Sequence, residues 1–189
     1  MKRQCSWSLK KMIVLVGMMG SGKSAIGESL SSKLGVEFWD TDAEIEASAN
    51  MTVAEIFERC GVDFFRARES ETIERLMNAG VGVLSVGGGA PLLKRNRDII
   101  GVKGISLWLK ADVDLLWNRV RQKDTRPLLK TENPYDTLAK LHEERISIYS
   151  QADLVAEANA DYSIEEMTQK VINTIVRESD VLVEIPCKS

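Results

Sequence analysis

Apolar and polar positions along the chain alternate between two periods. A continuous apolar run over residues 12–16 reads as a buried strand and is followed at once by glycines. Ile26, Leu30 and Leu34 then recur at helical spacing, and Gly35 ends that helix. Residues 36–39 form a second short strand. Thr52-Val53-Ala54-Glu55 is a capping box opening a helix around Ile56 and Phe57, and a longer helical stretch over 64–79 stops at Gly80. Strands are predicted at 83–86, 105–109 and 154–156. The intervening helices run through Val113, Leu116, Trp117 and Val120, and from Pro134 to Tyr149. Ser163-Ile164-Glu165-Glu166 caps a final helix ending near Arg177. Strands alternating with helices require a parallel sheet covered on both faces, an α/β architecture. Residues 121–134, rich in charge and interrupted by Pro127, read as a mobile flap. Residues 1–11 read as a frayed, basic start and 179–189 as a tail.

The 189 residues suit one domain with a core that needs no staples. A net charge of -3 gives no electrostatic footprint for nucleic acid. Cys5, Cys60 and Cys187 have neither zinc nor disulfide spacing, and His142 is the only histidine, which excludes His-rich metal sites. No run reaches the roughly 18 apolar residues of a membrane span. Met1-Lys2-Arg3 ahead of the apolar run imitates a secretory signal, but no small-residue cleavage pattern follows, and the run is needed as a strand.

The glycines after that strand belong to Gly17-Met18-Met19-Gly20-Ser21-Gly22-Lys23-Ser24, the G-x-x-x-x-G-K-[ST] pattern of a phosphate-binding loop between a strand and a helix. Its backbone N–H groups and the helix's positive end suit a polyphosphate. Lys23 would bridge the β- and γ-phosphates and the Ser24 hydroxyl would ligate Mg²⁺. Nucleoside triphosphate binding follows.

Other candidates cluster at the carboxyl ends of the predicted strands, where ligands of such sheets sit. Asp40 and Asp42 can project to one side; one could hold magnesium's waters and the other orient or deprotonate a nucleophile. A polar strand end, or a helix N-cap at Asp42 ahead of Ala43-Glu44-Ile45-Glu46, is the alternative. Gly87-Gly88-Gly89 marks a place where backbone comes close to something, or a plain loop. Ser85 stands where such enzymes usually carry an aspartate and could hydrogen-bond a magnesium-bound water. Arg126, within the flap, could close over phosphates. Arg119, Arg121 and Lys123 fit a solvated helix face, and Arg66 and Arg145, taken alone, fit surface positions.

Together these motifs, in this order, resemble the shikimate kinase family from about residue 12 to 177. The specific points are the phosphate loop, Asp40-Thr41-Asp42, Phe65-Arg66, the triple glycine, Arg126-Pro127-Leu128-Leu129, and Glu144-Arg145 before Tyr149. The resemblance implies a nucleoside monophosphate kinase type fold: three layers (α/β/α), a five-stranded parallel sheet in order 2-3-1-4-5, and a lid. It implies ATP and Mg²⁺ as cofactors and phosphorylation of the shikimate 3-hydroxyl in aromatic amino-acid biosynthesis. Gly20, Ser21, Gly22, Lys23, Ser24 and Ala25 would bind the nucleotide, Arg119 would pack on adenine, and Arg126 would be the lid arginine. Ser24, with Asp40 through water, would hold the metal. Asp42 would be the base; Arg66 and Arg145 would grip the carboxylate, and Gly88 and Gly89 would meet the ring. A cytoplasmic monomer with no nucleic-acid or membrane partner is implied. The loop 159–162, expected against adenine, identifies no contact residue.

The enzyme rival is another kinase of this fold, acting on gluconate or a nucleoside monophosphate. The non-enzyme rival is a nucleotide-binding regulator or GTPase switch, for which the guanine-reading Asn-Lys-x-Asp motif is missing.

Overall fold

The computed structural model describes residues 6–122 and 127–185. Five strands form a parallel sheet: β2 (Met12–Val16), β3 (Glu37–Asp40), β4 (Gly82–Ser85), β5 (Gly104–Lys110) and β6 (Leu154–Glu157). Their spatial order is β3-β4-β2-β5-β6, which is 2-3-1-4-5 counted along these five strands. The phosphate-loop strand β2 is central, and each of its five residues is buried. Its side chains alternate between layers, as the pleat dictates. Met12, Val14 and Val16 face α3 (Val53–Met77), α4 (Lys94–Lys103), α5 (Val113–Val120) and α6 (Pro134–Tyr149). Ile13 and Leu15 face α1 (Lys23–Leu34) and α7 (Ile164–Glu178). A continuous apolar strand is thus the signature of burial on both sides.

Both predicted capping boxes are present, at Thr52/Glu55 and Ser163/Glu166. The two helical stretches expected before Gly80 are two arms of α3, broken at Gly61, whose φ of 83° and ψ of 173° no side-chain-bearing residue adopts comfortably. A small separate cluster, Ile45, Ile56 and Phe65, holds α2 (Thr41–Ala49) against α3.

The terminal expectations need correction. Residues 6–9 are not frayed and 182–185 are not a loose tail: β1 (Ser6–Leu9) and β7 (Leu182–Ile185) pair antiparallel, with Leu9 opposite Leu182. Trp7 and Leu9 pack on the α1/α7 layer, where Val181 and Leu182 are buried. The pairing joins opposite ends of the chain, so no local window could reveal it. The sequence reading also missed α4, whose only buried residues are Asn96 and Ile100. Within the expected flap, Lys123 and Arg126 lie outside the described residues. Residues 127–129 form a 3₁₀ turn, and Leu129 is buried in the core, so this end of the segment is anchored.

Candidate active site

Residues after the carboxyl ends of β2, β3 and β4 surround two adjoining cavities of about 650 and 490 Å³. Met19, Ser24, Asp40, Asp42, Gly87 and Gly88 line both, so the two chambers meet at these residues.

The smaller chamber holds the phosphate loop. Gly22 caps α1 in a left-handed conformation (φ 96°) and provides no side-chain cap, which leaves the first N–H groups of α1 open to an anion. Lys23 Nζ donates to the Gly17 and Met18 carbonyls at 2.8 and 3.0 Å, so the ammonium is folded along its own loop. Arg119 donates to the Gly20 and Ser21 carbonyls at 3.3 and 3.2 Å, and burial draws its pKa down. The sequence reading of Arg119 as part of a solvated face is therefore incomplete: its guanidinium braces the loop. Tyr162, Ser163, Ile164 and Met167 complete this chamber and supply the side chains that could not be named in the loop near residue 160.

Asp40, rather than Asp42, caps α2. Its Oδ1 accepts from the Asp42 and Ala43 N–H groups, and its Oδ2 accepts from the Ser24 hydroxyl at 2.7 Å. This hydroxyl–carboxylate pair beside the phosphate loop fits Mg²⁺ held by one hydroxyl, phosphate oxygens and waters. No cluster of three or more His, Cys, Asp or Glu suited to a metal occurs among the described residues. Ser85, opposite Asp40 in the β3–β4 register, is buried and lines the same chamber.

The larger chamber contains Asp42, Arg66, Arg145 and Leu128 among its lining residues. Arg145, read alone as a surface residue, is 7% exposed. Arg66 donates to Glu69 Oε2 at 2.5 Å. Glu69 was absent from the sequence-based candidates. It is fully buried, and among the described residues its Oε1 has no hydrogen-bond partner. Desolvation lifts its pKa to about 7 against the lowering effect of Arg66, with Asp42 raising it slightly further. A signal existed: Glu69 falls on the stripe Phe65, Ile73, Leu76 and is a charge where the helical period calls for an apolar residue.

The triple glycine meets these side chains. A Cβ on Gly87 would lie 2.4 Å from Glu69 Oε1 and 3.2 Å from Asp42 Oδ1, and one on Gly89 would lie 2.0 Å from Arg66 Nη2. The close approach expected from the glycine run is thus to the chain's own charged groups. Gly87 N–H also donates to Thr41 Oγ1 at 3.1 Å, tying the run to α2. Of the sequence candidates, Gly20, Ser21, Gly22, Lys23, Ser24, Ala25, Asp40, Asp42, Arg66, Gly88, Gly89, Arg119 and Arg145 all border the two chambers. Arg126 lies outside the described residues.

Comparison with known proteins decides among kinases of this fold. A family model described as shikimate kinase matches residues 19–176. The chain belongs to the shikimate kinase family. It is 53% identical to the shikimate kinase of Ruegeria pomeroyi over 175 residues, covering 93% of this chain and 90% of that protein. It is 49% identical to that of Cereibacter sphaeroides over 180 residues, covering 95% and 90%. The structure of shikimate kinase from Acinetobacter baumannii in complex with shikimate superposes with a TM-score of 0.85 at 36% identity, covering 88% of this chain and 93% of that one. Shikimate kinases are ATP-dependent enzymes that work with Mg²⁺, and this chain is one of them in sequence and in fold.

Proposed function

We propose that the chain transfers the γ-phosphoryl group of ATP to the 3-hydroxyl of shikimate, with the nucleotide in the smaller chamber and the acceptor in the larger. The observation that carries this assignment of chambers is their junction at Ser24, Asp42 and Gly88, with Arg66 and Arg145 lining only the larger one. The phosphate loop N–H groups from Gly20 to Ala25 hold the phosphates, and Lys23 swings from its carbonyls to the β- and γ-phosphates. Ser24, and Asp40 through water, would hold the Mg²⁺ that accompanies ATP, which would offset phosphate charge. Arg119 packs on adenine and Arg126 reaches the phosphates from the lid.

Arg66 and Arg145 grip the shikimate carboxylate, because planar guanidinium forks match a carboxylate in two-point contact. Glu69 keeps Arg66 aimed, and Gly88 and Gly89 meet the ring. Asp42 takes the proton of the attacking hydroxyl as its oxygen bonds to the γ-phosphorus. The bond from that phosphorus to the β,γ-bridging oxygen breaks, and the electron pair leaves with ADP. A single small-molecule site of this kind fits a monomer working in the cytoplasm without nucleic-acid or membrane partners. No described helix is long and apolar enough to span a membrane. A coupled ADP-release assay with shikimate, quinate, gluconate and nucleoside monophosphates tests the reading: turnover with shikimate is expected to exceed the others by more than tenfold. Preference for gluconate or a nucleoside monophosphate would overturn it.

A further inference from the structure

Tyr149 closes α6, four residues after Arg145 and on the same face of the helix. It is 1% exposed, and its ring lies against Trp108 with centroids 6.0 Å apart. Such a residue passes for core filling, but its hydroxyl reaches out of the core. The phenol donates to the Gly88 carbonyl at 2.5 Å and lies 3.5 Å from Met18 Sδ in the phosphate loop. Gly88 is wedged in turn: a Cβ there would meet Gly17 O at 3.3 Å, Met19 N at 3.5 Å and the Tyr149 hydroxyl at 3.5 Å.

The planarity of the trans peptide turns this contact into a constraint on the site. With the Gly88 carbonyl held by the phenol, the Gly89 N–H on the same peptide points the opposite way. Among the described residues, neither Gly88 N–H nor Gly89 N–H donates to a protein acceptor, and both glycines line the acceptor chamber. Burial pushes the phenol's pKa up, against the pull of Arg145 and Arg66, so it remains a donor across the working pH range.

We infer that the Tyr149 hydroxyl is a positioning group for the acceptor: it sets the Gly88–Gly89 peptide plane so that backbone N–H is presented to the ring hydroxyls of shikimate. The inference rests on the assignment of the larger chamber to the acceptor. One side chain thereby links the helix that carries Arg145, the glycine wall and the phosphate loop.

Tyr149→Phe tests it, because the ring and its packing on Trp108 remain and only the oxygen goes. One hydrogen bond of ordinary strength predicts a KM for shikimate raised about five- to twentyfold. KM for MgATP should stay within twofold and the melting temperature should fall by only a few degrees. Leu138→Ala, on the same helix and fully buried, is the packing control: it should lower the melting temperature further and leave KM for shikimate within twofold. An unchanged KM for shikimate in Tyr149→Phe, or equal rises in both KM values, overturns the inference. In the unsubstituted enzyme, the Gly89 amide resonance should shift when shikimate is added without nucleotide, and an unmoved resonance also overturns it. If the unsubstituted enzyme turns over shikimate while either test fails, only the role of Tyr149 falls. If it does not turn over shikimate, the acceptor assignment itself falls.

Discussion

Lys23, Ser24 and the first turn of α1 hang from β2, every residue of which is buried between two helical layers. Asp42, Arg66 and Glu69 come instead from α2 and α3, whose own apolar cluster has three buried residues, Ile45, Ile56 and Phe65. Polar contacts within and between these elements add to it: Arg66 donates to Glu69 in the site, and Arg75 pairs with Glu44 on the surface at 2.7 Å. The phosphate side is one contiguous loop for a ligand common to many enzymes, carried by the buried central strand. The acceptor side is assembled from separate elements: α2, the α3 arm after Gly61, whose Ile73, Leu76 and Met77 enter the main core, and α6. On the proposed reading, specificity sits on the side whose geometry depends on contacts between separate elements.

The largest effect expected from perturbing this comparison is at the junction. Asp42→Asn should lower kcat by about a hundred- to ten-thousandfold, since an amide cannot take the proton. Nucleotide affinity, measured by calorimetry, should stay within a few-fold because the phosphate side is built separately. Next comes the acceptor side: Arg145→Ala should raise KM for shikimate about ten- to a hundredfold, the worth of one charged contact, with KM for MgATP nearly constant. Arg145→Lys should recover little of this, lacking the planar fork.

A smaller effect is one of pH. Burial raises Glu69 from 4.5 to about 7, so the folded chain keeps a proton there that an unfolded chain has released. The stability from this group is full below about pH 4.5 and is lost as pH rises through about 7, an amount on the order of a few kcal/mol. Melting temperature should fall between pH 5 and pH 8, and the fall should be shallower in Glu69→Gln, whose side chain stays neutral. Equal slopes in the two proteins would remove Glu69 as the cause.

The smallest effect on catalysis should come from the terminal ribbon, whose strands line neither chamber. Leu182→Ala, at a 3% exposed position, should cost about 2–3 kcal/mol and lower the melting temperature by roughly 4–12 °C, while both KM values at 25 °C stay unchanged. A changed KM for shikimate would show that the ribbon reaches the acceptor side.

Much of this molecule was legible in its sequence for local reasons. The phosphate loop is one contiguous segment whose glycines, lysine and serine act within a turn of one another. The capping boxes at Thr52 and Ser163 and the apolar strand 12–16 likewise carry their signals within a few residues. The family resemblance extended this reach to Arg66 and Arg145, which are far apart in the chain and look like surface residues in isolation. Only the tertiary structure showed Arg145 buried, Arg119 braced on the loop carbonyls, and Asp40 capping α2 while Asp42 faces the chambers. It alone joined Ser6–Leu9 to Leu182–Ile185, and brought Glu69 to Arg66 and the Tyr149 hydroxyl to the Gly88 carbonyl. These facts depend on which distant groups share a desolvated space. Hydrophobic period and turn chemistry act along the chain, so they specify elements; burial and partner choice arise between elements, so they appear only once the sheet has brought them together.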